Sequence, residues 1–285
     1  MTRALICGFG RAGRRHGATL DRLGIEWHCV EPIQSKTDRV EKFFFPDLET
    51  AFDTGKKLFD LTFDFAIICT PPSLHLQQIL TCLDAGLPVL CEKPLCALGQ
   101  FGEAETLLSH PLAHRVMMAQ NYHFHPALVT LKRQQELWEG LGGDWACFSD
   151  QHRTDVPEWG LLLDHVSHSV DILLWLSGME TLEVSRATHS VNENMETWFV
   201  DGTIGIQQFN IWESVRKAQV NKRAWVSGPF GNMEVVTSQP AMEQMMDAMY
   251  KVFLAHLESP DFPISFKDGV RAQRVLERIA EVAND

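Results

Sequence analysis

Three sets of residues in this 285-residue chain have types and spacings suited to chemistry. Gly8, Gly10 and Gly13 spell GxGxxG directly after a short apolar run, and Glu31 lies 23 residues beyond Gly8. Glycines so spaced let a backbone approach a pyrophosphate at a helix N-terminus, where free N–H groups and the helix dipole favour negative charge. The stretch Gly8, Phe9, Gly10, Arg11, Ala12 and Gly13 is therefore a candidate dinucleotide site, with Glu31 placed to accept hydrogen bonds from the adenosine ribose. A carboxylate there repels a 2′-phosphate, so NAD(H) is expected over NADP(H), while Lys36 and Arg39 nearby work against that preference.

The second set is Glu92 and Lys93, which directly follow the apolar run Leu87–Cys91 and precede Pro94. Charges at the end of a buried strand are costly unless something is bound there. The third set is Asp164, His168 and Asp171, whose i, i+4, i+7 spacing puts them on one face of a helix. Such a stripe must meet a cleft or a partner. A metal site made of Asp164, His165 and His168 is disfavoured, because histidines three apart come with no third strong ligand motif. No metal is expected.

These residues need elements to hold them. Residues 3–8 read as a strand and the glycine motif opens a helix; a second strand follows over 26–31, a helix begins at Leu48 after Pro46, and 63–70 is a nearly all-apolar third strand. After Pro71-Pro72 a helix runs to Gly86, and Leu87–Cys91 is the next strand. Strands alternating with helices over residues 1–120 predict an α/β domain, a Rossmann doubly wound parallel sheet. Residues 121–285 predict a second, α+β domain with a mostly antiparallel open sheet: a helix near 161–177, then alternating runs joined by turns at NEN, DG and SGPFG. Two helices close the chain, 241–258 and 266–282, the second with Ser265 and Asp268 as a capping box. The last helix is expected to pack back on the first domain. A methionine row at 242, 245, 246 and 249 reads as core or subunit interface rather than a cofactor contact.

The net charge of −12 disfavours nucleic-acid or anionic-membrane surfaces, which need clustered Lys and Arg. Seven cysteines without a CxxC pair, most within apolar runs, read as small hydrophobes in a reducing cytoplasm. The N-terminus is glycine-rich too early for a signal peptide, and no 18-residue apolar run is present.

Residues 69–95, CTPPSLHLQQILTCLDAGLPVLCEKPL, resemble the hallmark segment of the glucose-fructose oxidoreductase and inositol dehydrogenase superfamily (Gfo/Idh/MocA), with its TPPxxH turn and EKP element. Gly13 with His16 matches the family's GxxH, DHVSHSVD (164–171) is the counterpart of DxGxHxxD, and AQNYHFHP (119–126) is similar to the family's interdomain linker, with His123 where arginine is common. The resemblance implies an NAD(P)-dependent dehydrogenase acting on a sugar, polyol or related small molecule. It places Thr70, Pro71, Pro72, His75, Glu92 and Lys93 at the cofactor, Lys93 also at the reacting oxygen, His168 as general acid/base, Asp164 as an orienting group, and Asn121 and Tyr122 in the substrate pocket. His165, Val166 and Ser167 depart from the family's glycine-containing DxGxH, and the missing linker arginine disfavours an anionic substrate. A non-catalytic cofactor-binding sensor, or an imine or double-bond reductase of the same family, is the alternative. Apolar residues on both sides of TIGIQQFNIW suggest a homo-oligomer, dimer or tetramer, joined through the second sheet.

Overall fold

The computed structural model describes residues 2–33, 44–137, 144–153, 160–217, 221–229, 231–235, 238–259 and 261–285. Lys36 and Arg39 lie outside them. The chain divides into two units.

The first unit comprises Met1–Cys96, Gly102–Ala119 and Met246–Gly269. Its strands β1 (Arg3–Cys7), β2 (Glu26–Val30), β3 (Phe44–Phe45), β4 (Phe65–Ile68), β5 (Val89–Cys91) and β6 (Val116–Met118) form one sheet of order β3-β2-β1-β4-β5-β6. Every pairing is parallel. All four residues of β4 are fully buried, which explains why 63–70 reads as a nearly all-apolar run rather than an alternating one. The helices α1 (Arg11–Arg22), α2 (Leu48–Phe59) and α3 (His75–Asp84) connect the strands, and α4 (Phe101–Leu107) and α5 (Pro126–Leu137) follow along the chain. Asp47 caps α2 by accepting from Thr50 N–H at 2.7 Å. Gly86, at φ +77°, follows α3 where the sequence places its stop.

The second unit comprises Ala97–Phe101, Gln120–Met245 and Val270–Asp285. Its strands β7 (Trp145–Arg153), β8 (Glu183–Asn192), β9 (Met195–Ile204), β10 (Gln207–Lys217), β11 (Asn221–Gly228) and β12 (Gly231–Glu234) are ordered β12-β11-β7-β10-β9-β8. All neighbours are antiparallel except β7 and β10. The inner face presents Trp145, Cys147, Phe209, Ile211 and Val226 to a core shared with Leu128, Val170, Leu173 and Leu276.

Four expectations change. First, the segment that joins the first unit late in the chain is Met246–Gly269, not the last helix, whose residues from Val270 belong to the second unit. The two terminal helices, α7 (Gln239–Ala255) and α8 (Phe266–Asn284), otherwise stand where expected. In the capping box of α8, Ser265 N–H donates to Asp268 at 2.8 Å and Asp268 N–H to Ser265 Oγ at 3.4 Å.

Second, Asp201-Gly202 is no turn but the interior of β9. A Cβ on Gly202 would lie 2.0 Å from Glu183 O and 2.6 Å from the Phe209 ring, so the glycine serves a close approach beside the bulge at Val184/Arg186. Third, the real turn is Gly205-Ile206. Ile206 is 98% exposed there, while Ile204, Phe209 and Ile211 are all buried on the inner face, so the apparent two-sided pattern came from reading through a hairpin. Fourth, the helix near 161–177 begins with a π-helical turn, Leu162–Val166, before α6 (Ser167–Ser177).

Candidate active site

In the first unit the glycines have separate physical reasons. Gly8 takes φ +91°, and a Cβ on Gly13 would lie 2.0 Å from Gly8 O, so these two permit the turn and the seating of α1. Beside Gly10 a Cβ would meet nothing within 4 Å among the described residues. Gly10 is also the N-cap of α1 and supplies no side-chain cap, and the first turn holds no acidic residue. An open helix N-terminus flanked by Arg11, Arg14 and Arg15 fits a pyrophosphate. Phe9, by contrast, is buried against Trp27 and Phe44, with the Arg14 guanidinium over its ring.

The Glu31 carboxylate, 7% exposed, accepts from Phe9 N–H at 2.9 Å and Ile33 N–H at 3.1 Å. It thus ties the end of β2 to the glycine turn.

The TPPSLH turn and the EKP turn are joined by one side chain. The His75 Nδ1 faces Pro94 O at 3.0 Å and its Nε2 faces Thr70 O at 2.8 Å. Burial pushes the imidazole below its ordinary pKa, against the pull of the two carbonyls. His75 is 1% exposed, so its ring acts on the backbone of Thr70 and Pro94 rather than outward. Thr70 Oγ1 donates to Gln78 at 2.6 Å; Pro72 is buried and Pro71 exposed. The Lys93–Pro94 peptide is cis.

Glu92 and Lys93 follow β5 immediately, at the carboxyl edge of the parallel sheet where open α/β folds bind ligands. Tyr250 of α7 donates its hydroxyl to His16 Nδ1 at 2.7 Å, and His16 Nε2–H donates to Glu92 Oε1 at 3.1 Å. The tautomer follows from the partners, because an ionised carboxylate only accepts. Glu92 Oε2 accepts the Lys93 backbone N–H at 3.2 Å. Burial works to raise the Glu92 pKa, but the His16 hydrogen bond and the charges of Lys93 and Arg15 outweigh it and leave the carboxyl below its ordinary value. Burial, with negative charge nearby, pushes Tyr250 well up, so it stays a donor.

In the second unit, the run 161–174 is buried apart from Asp164 and His168, which are half-buried. The predicted polar stripe splits. Asp171 is 4% exposed and accepts from His123 Nε2–H at 2.8 Å, while the His123 ring stacks on Trp175 at 4.3 Å. This pair anchors the 121–124 turn to α6. The turn holds Tyr122 edge-on to His168, with ring centroids 4.7 Å apart. Asn121 donates to Met242 Sδ at 3.2 Å and its buried Oδ1 has no hydrogen-bond partner among the described residues. His165 Nε2 sits 3.3 Å from Asp164 Oδ2. Among the described residues no His/Cys/Asp/Glu group is arranged to hold a metal ion.

The start of this segment is held by Glu196, whose Oε1 accepts from Leu161 N–H, His189 Nε2–H and Trp198 Nε1–H at 3.0, 3.1 and 3.2 Å. Sequence reasoning missed Glu196, Tyr250 and the His123–Asp171 pair.

Residues 2–122 match the model of an oxidoreductase family with an NAD-binding Rossmann fold. The scyllo-inositol 2-dehydrogenase (NADP(+)) of Bacillus subtilis is 28% identical over 205 residues, 67% of this chain and 56% of that protein. The inositol 2-dehydrogenase of Mycolicibacterium gilvum is 28% identical over 219 residues, 72% and 60% of the two chains. The chain thus spans a little over half the length of these curated relatives. The crystal structure of scyllo-inositol dehydrogenase from Lactobacillus casei with bound NAD(H) and scyllo-inositol superposes with a TM-score of 0.78 at 17% identity, covering 100% of this chain and 97% of that one, which is a likeness of fold. Over residues 2–122 the chain is thus similar to the Gfo/Idh/MocA oxidoreductase family, with its NAD-binding Rossmann fold.

Proposed function

We propose that the chain is an NAD(P)-dependent oxidoreductase that moves hydride between the nicotinamide and a carbinol or carbonyl carbon of a polyol or sugar. The observation that carries the reading is the direct bond from α1, which opens at the glycine turn, to the end of β5: His16 to Glu92, and Glu92 to the Lys93 peptide. The cofactor, when bound, accepts or supplies the hydride. Gly8, Gly10, Arg11, Ala12 and Gly13 hold its pyrophosphate and Glu31 its ribose, while Phe9, Thr70, Pro71, Pro72 and His75 shape the edge it lies on. Lys93 hydrogen-bonds the reacting oxygen. His168 takes or returns the hydroxyl proton, a task suited to an imidazole near neutral pH. Asp164 orients substrate, and Asn121 and Tyr122 line its pocket. The test is a polyol and sugar panel read by nicotinamide absorbance with each cofactor. Turnover of at least one polyol supports the reading, and silence across the panel with normal cofactor binding contradicts it.

Glu31 supports NAD(H) over NADP(H), since its carboxylate stands where a 2′-phosphate would be repelled. The Bacillus relative is named for NADP(+), and its name lends the preference no support.

The chain assembles with copies of itself, in this reading, through the outer face of the second sheet. Trp225, Phe148, Trp212 and Phe199 stand in register across β11, β7, β10 and β9, with Phe148 stacked on Trp212 at 4.3 Å and 37% exposed. A row of four aromatic side chains on an open face is the kind of patch that marks an interface. Seven free cysteines fit a reducing cytoplasm as the working compartment, and no helix among the described residues is long and apolar enough to cross a membrane.

A further inference from the structure

A cavity in the second unit lies between the inner face of the sheet and the segment that carries His168. Tyr122, His165, His168, Ser149, Ser169 and Glu213 form its polar lining, and residues such as Cys147, Ile172 and Val226 form its apolar wall. Glu213 belongs to the inner face of β10, in the same alternation as Phe209, Ile211 and Val215, a position that an apolar residue would ordinarily fill. It is 3% exposed and accepts from Ser169 Oγ at 2.5 Å. Ser169 is the residue after His168, so this bond fixes the carboxylate relative to the segment that presents the imidazole. Burial, and then the negative charge of Glu213, push the neighbouring Cys147 thiol well up.

We propose that Glu213 is the specificity-determining acceptor of the substrate pocket: the substrate presents a hydroxyl or ammonium donor to it, and polyols bearing a carboxylate or phosphate are turned away. The inference rests on the dehydrogenase reading for its substrate site but concerns a residue that this reading does not use. A carboxylate only accepts, so a donor on the ligand is its natural complement. The ionisable side chains among the described residues lining the cavity are this carboxylate, the imidazoles of His165 and His168, the Cys147 thiol and the Tyr122 phenol, so Glu213 is the one carboxylate among them. A second negative group brought beside Glu213 meets like charge where water screens poorly. An ammonium meets the opposite sign. Specificity of this kind combines an attraction with a built-in repulsion.

The test uses a matched series of one polyol in neutral, amino and carboxylate forms, with full-length protein and cofactor. Wild type is expected to show a kcat/KM for the carboxylate form at least 100-fold below the neutral form, with the amino form at or above it. In Glu213→Gln the penalty on the carboxylate form should shrink to under tenfold and the advantage of the amino form should vanish. Ser169→Ala should move both ratios the same way by less, and it serves where Glu213→Gln fails to fold. Wild type handling the carboxylate form within tenfold of the neutral one would overturn the proposal, as would unchanged ratios in folded Glu213→Gln. Isothermal titration calorimetry ranks the same three compounds without turnover. Ranked binding without turnover would sink the dehydrogenase reading and keep this one, and turnover without the ranking would do the reverse.

Discussion

His16 donates to Glu92 at 3.1 Å while accepting from Tyr250 at 2.7 Å, so three side chains drawn from α1, α7 and the end of β5 form one buried chain. It ends on the peptide N–H of Lys93 at 3.2 Å. Replacing Tyr250 with Phe removes one donor and frees the imidazole to rotate. We expect a loss of about 1–2 kcal/mol in stability. We also expect a fall in kcat of roughly tenfold with little change in cofactor affinity, because the damage is to the placement of Lys93. Denaturant unfolding together with steady-state kinetics checks this, and an unaltered kcat in a destabilised variant would make the chain purely structural.

Gly10 and Gly13 should separate binding from folding. Gly13→Ala puts a methyl 2.0 Å from Gly8 O and should cost several kcal/mol, although Gly→Ala inside a helix ordinarily stabilises by about 0.5–1 kcal/mol. Gly10→Ala has open space in the free protein and should leave the melting temperature nearly unchanged while weakening NADH by tenfold or more. Thermal melts and calorimetric titration of both variants decide it.

Glu31 accepts two backbone N–H groups and is proposed to hold the ribose, and the substitution must keep the two roles apart. Glu31→Ala would leave the Phe9 and Ile33 N–H groups without their acceptor. Glu31→Gln keeps an acceptor oxygen and removes the charge. NADH is expected to bind wild type at least tenfold tighter than NADPH, and the gap should narrow to a few-fold in Glu31→Gln. Tighter binding of NADPH to wild type would reject the role given to Glu31.

Acid should loosen the turns that carry Thr70 and Lys93. Because burial depresses the His75 pKa, the folded protein holds the ring neutral while the unfolded chain takes up a proton near the ordinary value of about 6.5. The stability this contributes is present above that pH and is lost as pH falls toward the folded value. Glu92, also depressed, adds a second loss that begins near the ordinary glutamate value of about 4.3. Melting temperatures measured from pH 8 to about 2.5 should therefore fall in two stages. His75→Gln should be less stable at neutral pH, by about 1–3 kcal/mol, and should lack the first stage.

The parallel sheet and the glycine turn were legible in the sequence because fully buried strands and GxGxxG leave local marks, and the end of β5 was legible because charges rarely follow a buried strand without cause. The edges of the second sheet were less so. Gly202 reads as a turn, yet it marks a close approach to Glu183 and Phe209 that is visible only once the strands are paired. Asp164, His168 and Asp171 read as one stripe on a helix of constant pitch. The π-helical turn at Leu162–Val166 and the claim of His123 on Asp171 divide them. Tyr250 is 234 residues from His16, and no periodicity reaches across such a separation.

The outer aromatic row gives an assembly test. Phe148→Asp places a charge in the middle of Trp225, Phe148, Trp212 and Phe199 without touching the inner core. Sedimentation at micromolar concentration should show an oligomer for wild type and monomer for the variant, with similar far-ultraviolet circular dichroism. A wild-type monomer would contradict the interface.

The account stands most directly on Lys93 and His168, the first just after β5 at the carboxyl edge of the parallel sheet in one unit and the second in the cavity of the other. The decisive measurement is turnover of an accepted polyol by Lys93→Ala and His168→Ala beside calorimetric NADH affinity for each. Removing a group that handles the reacting oxygen or its proton typically costs 10²–10⁴-fold, about 3–5 kcal/mol of barrier. The account predicts losses of that size in both variants with NADH affinity within about threefold of wild type. A folded His168→Ala protein that binds NADH normally and retains more than about a third of the wild-type rate would contradict it.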